Sequence, residues 1–98
     1  MASFSDIINS DKPVLIDFHA TWCGPCKQLS PIIQEVSKDM GEAVRVIKID
    51  VDKNQAVAQN YQIRGVPTMM IFKEGKQLWR QSGVLSKEVI KAELQKHI

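Results

Sequence analysis

The stretch Val14-Leu15-Ile16-Asp17-Phe18-His19-Ala20-Thr21-Trp22-Cys23-Gly24-Pro25-Cys26 decides how this chain folds. Its first six residues are an apolar run with β-branched and aromatic members, broken only by Asp17, and they predict a strand buried on both faces. Beyond the cysteines, Leu29, Ile32, Ile33, Val36 and Met40 recur at intervals of three and four. That spacing marks one face of a helix running from Pro25 to a stop at Gly41. Pro31 lies inside it, without an N–H and with a ring that clashes with the carbonyl four residues back, which predicts a kink near Gln28 to Pro31.

The flanking segments complete an alternating pattern. Phe4, Ile7 and Ile8 have helical spacing behind two possible caps, Ser3 and Ser5, and Asn9 to Pro13 reads as a turn. Val44 to Asp50 is a second strand, and strand, helix, strand in this order predicts a parallel pair. Asn54 caps a short helix through Tyr61. Thr68 to Lys73 and Gln77 to Ser82 form an antiparallel hairpin across Glu74-Gly75-Lys76. Ser86 caps a final helix carrying Val89, Ile90 and Leu94. With no internal repeat or long flexible linker, residues 1–98 read as one α/β domain, a central mixed sheet covered by helices on both faces.

The chain has two cysteines, three positions apart. A bond between them closes so small a loop that it removes little entropy from the unfolded chain, so the pair is a poor structural staple. A zinc site needs further ligands, and only His19 and His97 are on offer, so no metal is expected. Cys-x-x-Cys by itself is shared by redox proteins, zinc ribbons and haem attachment sites. Its place, where a buried strand gives way to a long helix, favours redox chemistry. Unpaired N–H groups and the positive end of the helix dipole there favour a thiolate at Cys23. Gly24 lets a substrate backbone come close, and Pro25 suits the first helical position. Cys26, one turn on, can hydrogen-bond the Cys23 sulfur and later attack it within a mixed disulfide. Desolvation should raise the pKa of Asp17, a carboxyl held between Ile16 and Phe18.

Composition narrows the partners. Thirteen Lys and Arg against eleven Asp and Glu give a net charge of +2 with no concentrated footprint for nucleic acid or anionic lipid. No apolar run reaches membrane-spanning length, and Met1 to Asp6 has neither the basic start nor the apolar core of a secretory signal, so a cytoplasmic protein is expected. No glycine-rich dinucleotide fingerprint is present.

Trp22-Cys23-Gly24-Pro25-Cys26, followed at a distance by Val66-Pro67-Thr68, resembles the paired motifs of the thioredoxins, and the resemblance runs along almost the whole chain. It implies the thioredoxin-like fold and a general protein disulfide reductase contributing to cell redox homeostasis. Such a protein binds no cofactor, cycles a Cys23–Cys26 disulfide, and regains electrons from NADPH through a thioredoxin reductase. The resemblance further implies that Pro67 is the family's cis-proline, bringing the Val66 backbone beside the cysteines, and that Gly24, Pro25 and Pro67 tune the couple. Asp17 matches the buried aspartate that exchanges a proton with Cys26, and Lys48 the lysine that accompanies it. Trp22, Gly24, Pro25, Val51, Gly65, Val66, Gly83 and Val84 match the substrate-contact surface.

Two departures stand out. His19 replaces an aromatic residue, frequently Trp. Only 16 residues precede Asp17, too few for both the leading strand and the first helix usual in the family. Four strands are therefore expected, with Val44 to Asp50 as an edge that Arg45 and Lys48 protect from pairing, in a monomer. Two other functions use similar residues: a disulfide oxidase or isomerase, and a scaffold whose thiols are incidental. Gly24-Pro25 and the absent signal favour the reductant.

Overall fold

The computed structural model describes residues 3–98. At its centre is β1 (Val14–His19), whose alternating side chains serve two separate cores, which is why the run is apolar at almost every position. β1 pairs in parallel with β2 (Arg45–Asp50), reached through the long helix α2 (Gly24–Met40) and a 3₁₀ turn, Gly41–Ala43. On its other side it pairs antiparallel with β3 (Thr68–Lys73), which forms a hairpin with β4 (Lys76–Ser82). The order is β2-β1-β3-β4, a mixed four-stranded sheet with β2 at one edge, as the sequence predicts. Short helices α1 (Phe4–Ile8) and α3 (Gln55–Asn60) and the terminal α4 (Lys87–Gln95) complete the domain.

One face of the sheet packs Leu15, Met69 and Ile71 against Leu29, Ile33 and Val36 of α2 and Ile90 and Leu94 of α4. The opposite face packs Val14, Ile16, Phe18, Met70 and Phe72 with Ile8. There Phe4 and Tyr61 pack edge-on against Phe72 at ring separations of 5.8 and 5.5 Å, joining α1 and the end of α3 to the sheet. Met40 and Val84 are half-buried against the α2–α4 core, while Val89 turns outward and is exposed.

Local signals worked as expected at most boundaries. Of the two candidate caps, Ser3 is the one used: its hydroxyl accepts from the Asp6 N–H at 3.1 Å while the Asp6 carboxylate accepts from the Ser3 N–H at 3.2 Å, a capping box. Ser86 accepts from the Val89 N–H at 3.3 Å. The hairpin turn is two residues, with Lys76 already in β4. Glu74 and Gly75 have φ of 53° and 80°, the left-handed pair that matches strand twist. A bulge beside Ile71 and Phe72 leaves Leu78 out of register and exposed. α2 runs as one helix through Pro31, where the missing N–H deprives the Lys27 carbonyl of its usual partner.

Three expectations need correction. Pro25 is the second helical residue rather than the first, because Cys23 itself is the N-cap; the position costs nothing, since no N–H of the first turn has an intrahelical partner. Val44 precedes β2, belonging to the exit from the 3₁₀ turn. Asn54 stands at the N-cap of α3 without capping it, because its amide donates instead to the Asp50 carbonyl at 3.0 Å.

Candidate active site

β1 ends at His19, and the next four residues turn the chain into α2. The Cys23 N–H bonds the Ala20 carbonyl at 3.2 Å, which holds Cys23 in extended conformation at the N-cap. Its sulfur accepts the Cys26 N–H at 3.1 Å, filling the role a Ser or Asp oxygen plays at other helix starts. This geometry favours negative charge on Cys23, with one N–H aimed at the sulfur and the helix dipole behind it. Cys23 and Cys26 are joined as a disulfide with Cα atoms 5.3 Å apart. Both are largely buried, at 4% and 5% exposure.

The Val66–Pro67 peptide is cis, and it lies against the cysteines: the Cys23 sulfur is 3.6 Å from the Val66 carbonyl oxygen. Thr68 braces this loop by donating to the Gly65 carbonyl at 2.7 Å and bonding the Ser82 hydroxyl at 3.0 Å. Gly83, whose φ of 91° suits glycine, donates its N–H to the Pro67 carbonyl at 2.9 Å. Val51 and Val66 pack against Ala20, Cys23 and Cys26.

Around this centre the predicted contact residues divide. Trp22, Val51, Gly65 and Val66 line a shallow depression of about 110 Å³ together with Ile63 and Arg64, which sequence reading missed. Trp22 is 70% exposed, and its indole N–H donates to Asp52 at 2.8 Å, a partner that nothing in the sequence singled out from the other carboxylates. Gly24 and Pro25 are exposed at the helix tip. Val84 contributes mainly to the α2–α4 core and does not line the depression.

Asp17, in the middle of β1, is 1% exposed, and its Oδ1 has no hydrogen-bond partner among the described residues. Burial raises its pKa, opposed in part by the nearby charges of His19 and Lys48. Lys48 is its register partner across β1 and β2, and its ammonium donates to the Ser30 hydroxyl at 2.8 Å. The pairing of Lys48 with Asp17 is therefore one of proximity, without a direct bond. Among the described residues no cluster of three or more His, Cys, Asp and Glu could hold a metal ion, and no helix is long and apolar enough to cross a membrane.

The family model for thioredoxin matches residues 1–96. This chain belongs to the thioredoxin family. Its thioredoxin relatives include that of Porphyra purpurea, 41% identical over 99% of this chain and 92% of the relative, and that of Mycobacterium tuberculosis, 43% identical over 95% and 81%. The chloroplastic thioredoxin Y of Oryza sativa is 49% identical over 86% of this chain, which spans only about half (51%) of that protein. In three dimensions the chain is similar to Malassezia sympodialis thioredoxin, with a TM-score of 0.86, 37% identity and coverage of 96% and 82%. As in the thioredoxin family generally, the chemistry is thiol–disulfide exchange, carried here by the Cys23/Cys26 couple.

Proposed function

We propose that this thioredoxin works as a monomeric, general reductant of protein disulfides in the cytoplasm, re-reduced by a partner reductase that draws on NADPH. The observation that carries the reading is the Cys23 sulfur at the tip of α2, receiving the Cys26 N–H at 3.1 Å beside the apolar depression under Trp22. An exposed disulfide in an extended segment lies along the depression and the Val66 backbone, where shape and main-chain contacts recognise it without reading sequence.

The reduced Cys23 thiolate attacks one substrate sulfur, forming a mixed disulfide and expelling the other substrate sulfur as a thiolate. Cys26 then gives its proton to the Asp17 carboxylate, and its sulfur attacks Cys23. The Cys23–substrate bond breaks, and the electron pair leaves with the second substrate sulfur. Two electrons have passed from the dithiol to the substrate, and the protein is left as the Cys23–Cys26 disulfide. Burial prepares Asp17 for this role, because a carboxyl whose pKa is raised comes nearer to that of the thiol it must deprotonate.

Turbidimetric insulin reduction with NADPH and a thioredoxin reductase tests the reading. Turnover by the wild type, none by Cys23→Ser, and a trapped mixed disulfide with Cys26→Ser are expected. Failure of the wild type to turn over, or a reduction potential in the range of oxidising-compartment oxidases, would overturn it.

A further inference from the structure

A second recess, of about 270 Å³, shares no residue with the depression under Trp22. Its walls are His19, Ala20 and Thr21 after the core of β1, Cys26, Lys27 and Ser30 on the first two turns of α2, and Lys48 on β2. Asp17 is not part of the wall; it is buried, with one carboxyl oxygen unpartnered among the described residues. Two protonatable side chains flank Asp17 and also line the recess. His19 lies two residues along the same face of β1, and Lys48 is the register partner on β2.

These two groups differ in what they can do with a proton. An ammonium has three donors and no acceptor, and that of Lys48 is already engaged with Ser30 at 2.8 Å. A neutral imidazole has one accepting and one donating nitrogen, so it can take a proton at one edge and release another at the opposite edge. The indole frequent at this position in the family resemblance is a donor only and could not pass a proton on.

We infer that His19 relays the Cys26 proton from Asp17 to water in this recess. The inference rests on the reading of Asp17 as the base. Once Cys26 has protonated Asp17, the carboxylic acid gives its proton to the accepting nitrogen of His19 before the Cys26 thiolate attacks Cys23, so that the proton's return does not quench the attack. The ring releases the proton on its other nitrogen to recess water. Asp17 returns as a carboxylate, and His19 as the alternate tautomer, which re-equilibrates through the same water. The other charged or titratable groups around His19 are Lys48, Lys27 and Cys26 on the recess wall and Asp50, its register partner on β2. Asp50 is occupied in accepting from the Asp52 and Lys53 N–H groups at 2.9 and 3.3 Å. At this height β3 offers Met69 and Thr68, neither of which titrates in the working range.

The test follows the decay of the mixed disulfide in a single turnover, with reduced protein and excess disulfide peptide, acid-quenched and resolved by mass spectrometry. His19→Ala should slow decay on the order of tenfold, below the span typical of a direct general base. Formation of the mixed disulfide should keep its wild-type rate. Imidazole in the buffer should restore decay in His19→Ala, where it can occupy the vacated space, and should not restore it in His19→Phe, where a ring fills that space. Wild-type decay in His19→Ala overturns the relay, as does slow decay that imidazole leaves unchanged while circular dichroism shows the native fold. Asp17→Asn separates the two readings. If it decays at the wild-type rate, the base itself is wrong; if it is slow while His19→Ala is not, the base stands and the relay alone falls.

Discussion

Replacing Asp17 with Asn removes one titrating proton from the interior while nearly preserving the side chain's shape. The folded-state pKa of Asp17 is raised by desolvation, with His19 and Lys48 opposing only in part. Between the unfolded carboxyl value, about 3.9, and that raised value, the folded chain therefore holds a proton that the unfolded chain has lost. The contribution of Asp17 to stability is greatest below the unfolded pKa. It falls as pH rises through this window and is constant at its lowest value above the folded pKa. One proton sets the slope, at most about 1.4 kcal/mol per pH unit. Small proteins lose about 1–3 kcal/mol per molar urea, so the midpoint of the wild type should fall relative to Asp17→Asn by roughly 0.5–1.4 M for each pH unit inside the window. Urea unfolding of both oxidised proteins from pH 4 to 9, followed by circular dichroism, reads this directly, and the difference cancels every other titrating group. A difference that stays flat would refute the desolvation argument. One that grows in favour of the wild type with rising pH would mean that attraction to His19 and Lys48 outweighs burial.

Three further outcomes test other parts of the structure. Asp52→Ala frees the Trp22 indole, and losing an exposed charge-assisted bond of about 1 kcal/mol should raise KM for disulfide proteins roughly fivefold, with the rate of Cys23 alkylation by iodoacetamide unchanged. Leu94→Ala empties a site buried between α4 and the sheet and should cost about 2–5 kcal/mol in urea unfolding, with the insulin-reduction rate of the folded fraction retained. Ser86→Ala removes the α4 cap and should cost about 1 kcal/mol by the same measurement.

Much of the fold was legible because its signals are local. The run Val14 to His19, the three-and-four spacing from Leu29 to Met40, the capping serines and the Glu74-Gly75 turn each restrict only a few neighbouring residues, and each formed as its chemistry requires. The Cys23–Cys26 centre was legible for the same reason, since a helix start and its N-cap lie within four residues. Asn54 shows the limit of such reasoning: a good cap by type, it found a better acceptor in the Asp50 carbonyl once β2 and α3 were placed.

What the sequence determined by itself is therefore the set of elements, their order, and a reactive sulfur at a helix tip, all consequences of spacing along the chain. The tertiary structure decided which distant groups meet: Asp52 with Trp22, Lys48 with Ser30 in place of Asp17, and His19 beside a recess that reaches Cys26. These meetings depend on strand register and on the direction each side chain takes from its backbone, and both are set only when the sheet and α2 close on one another.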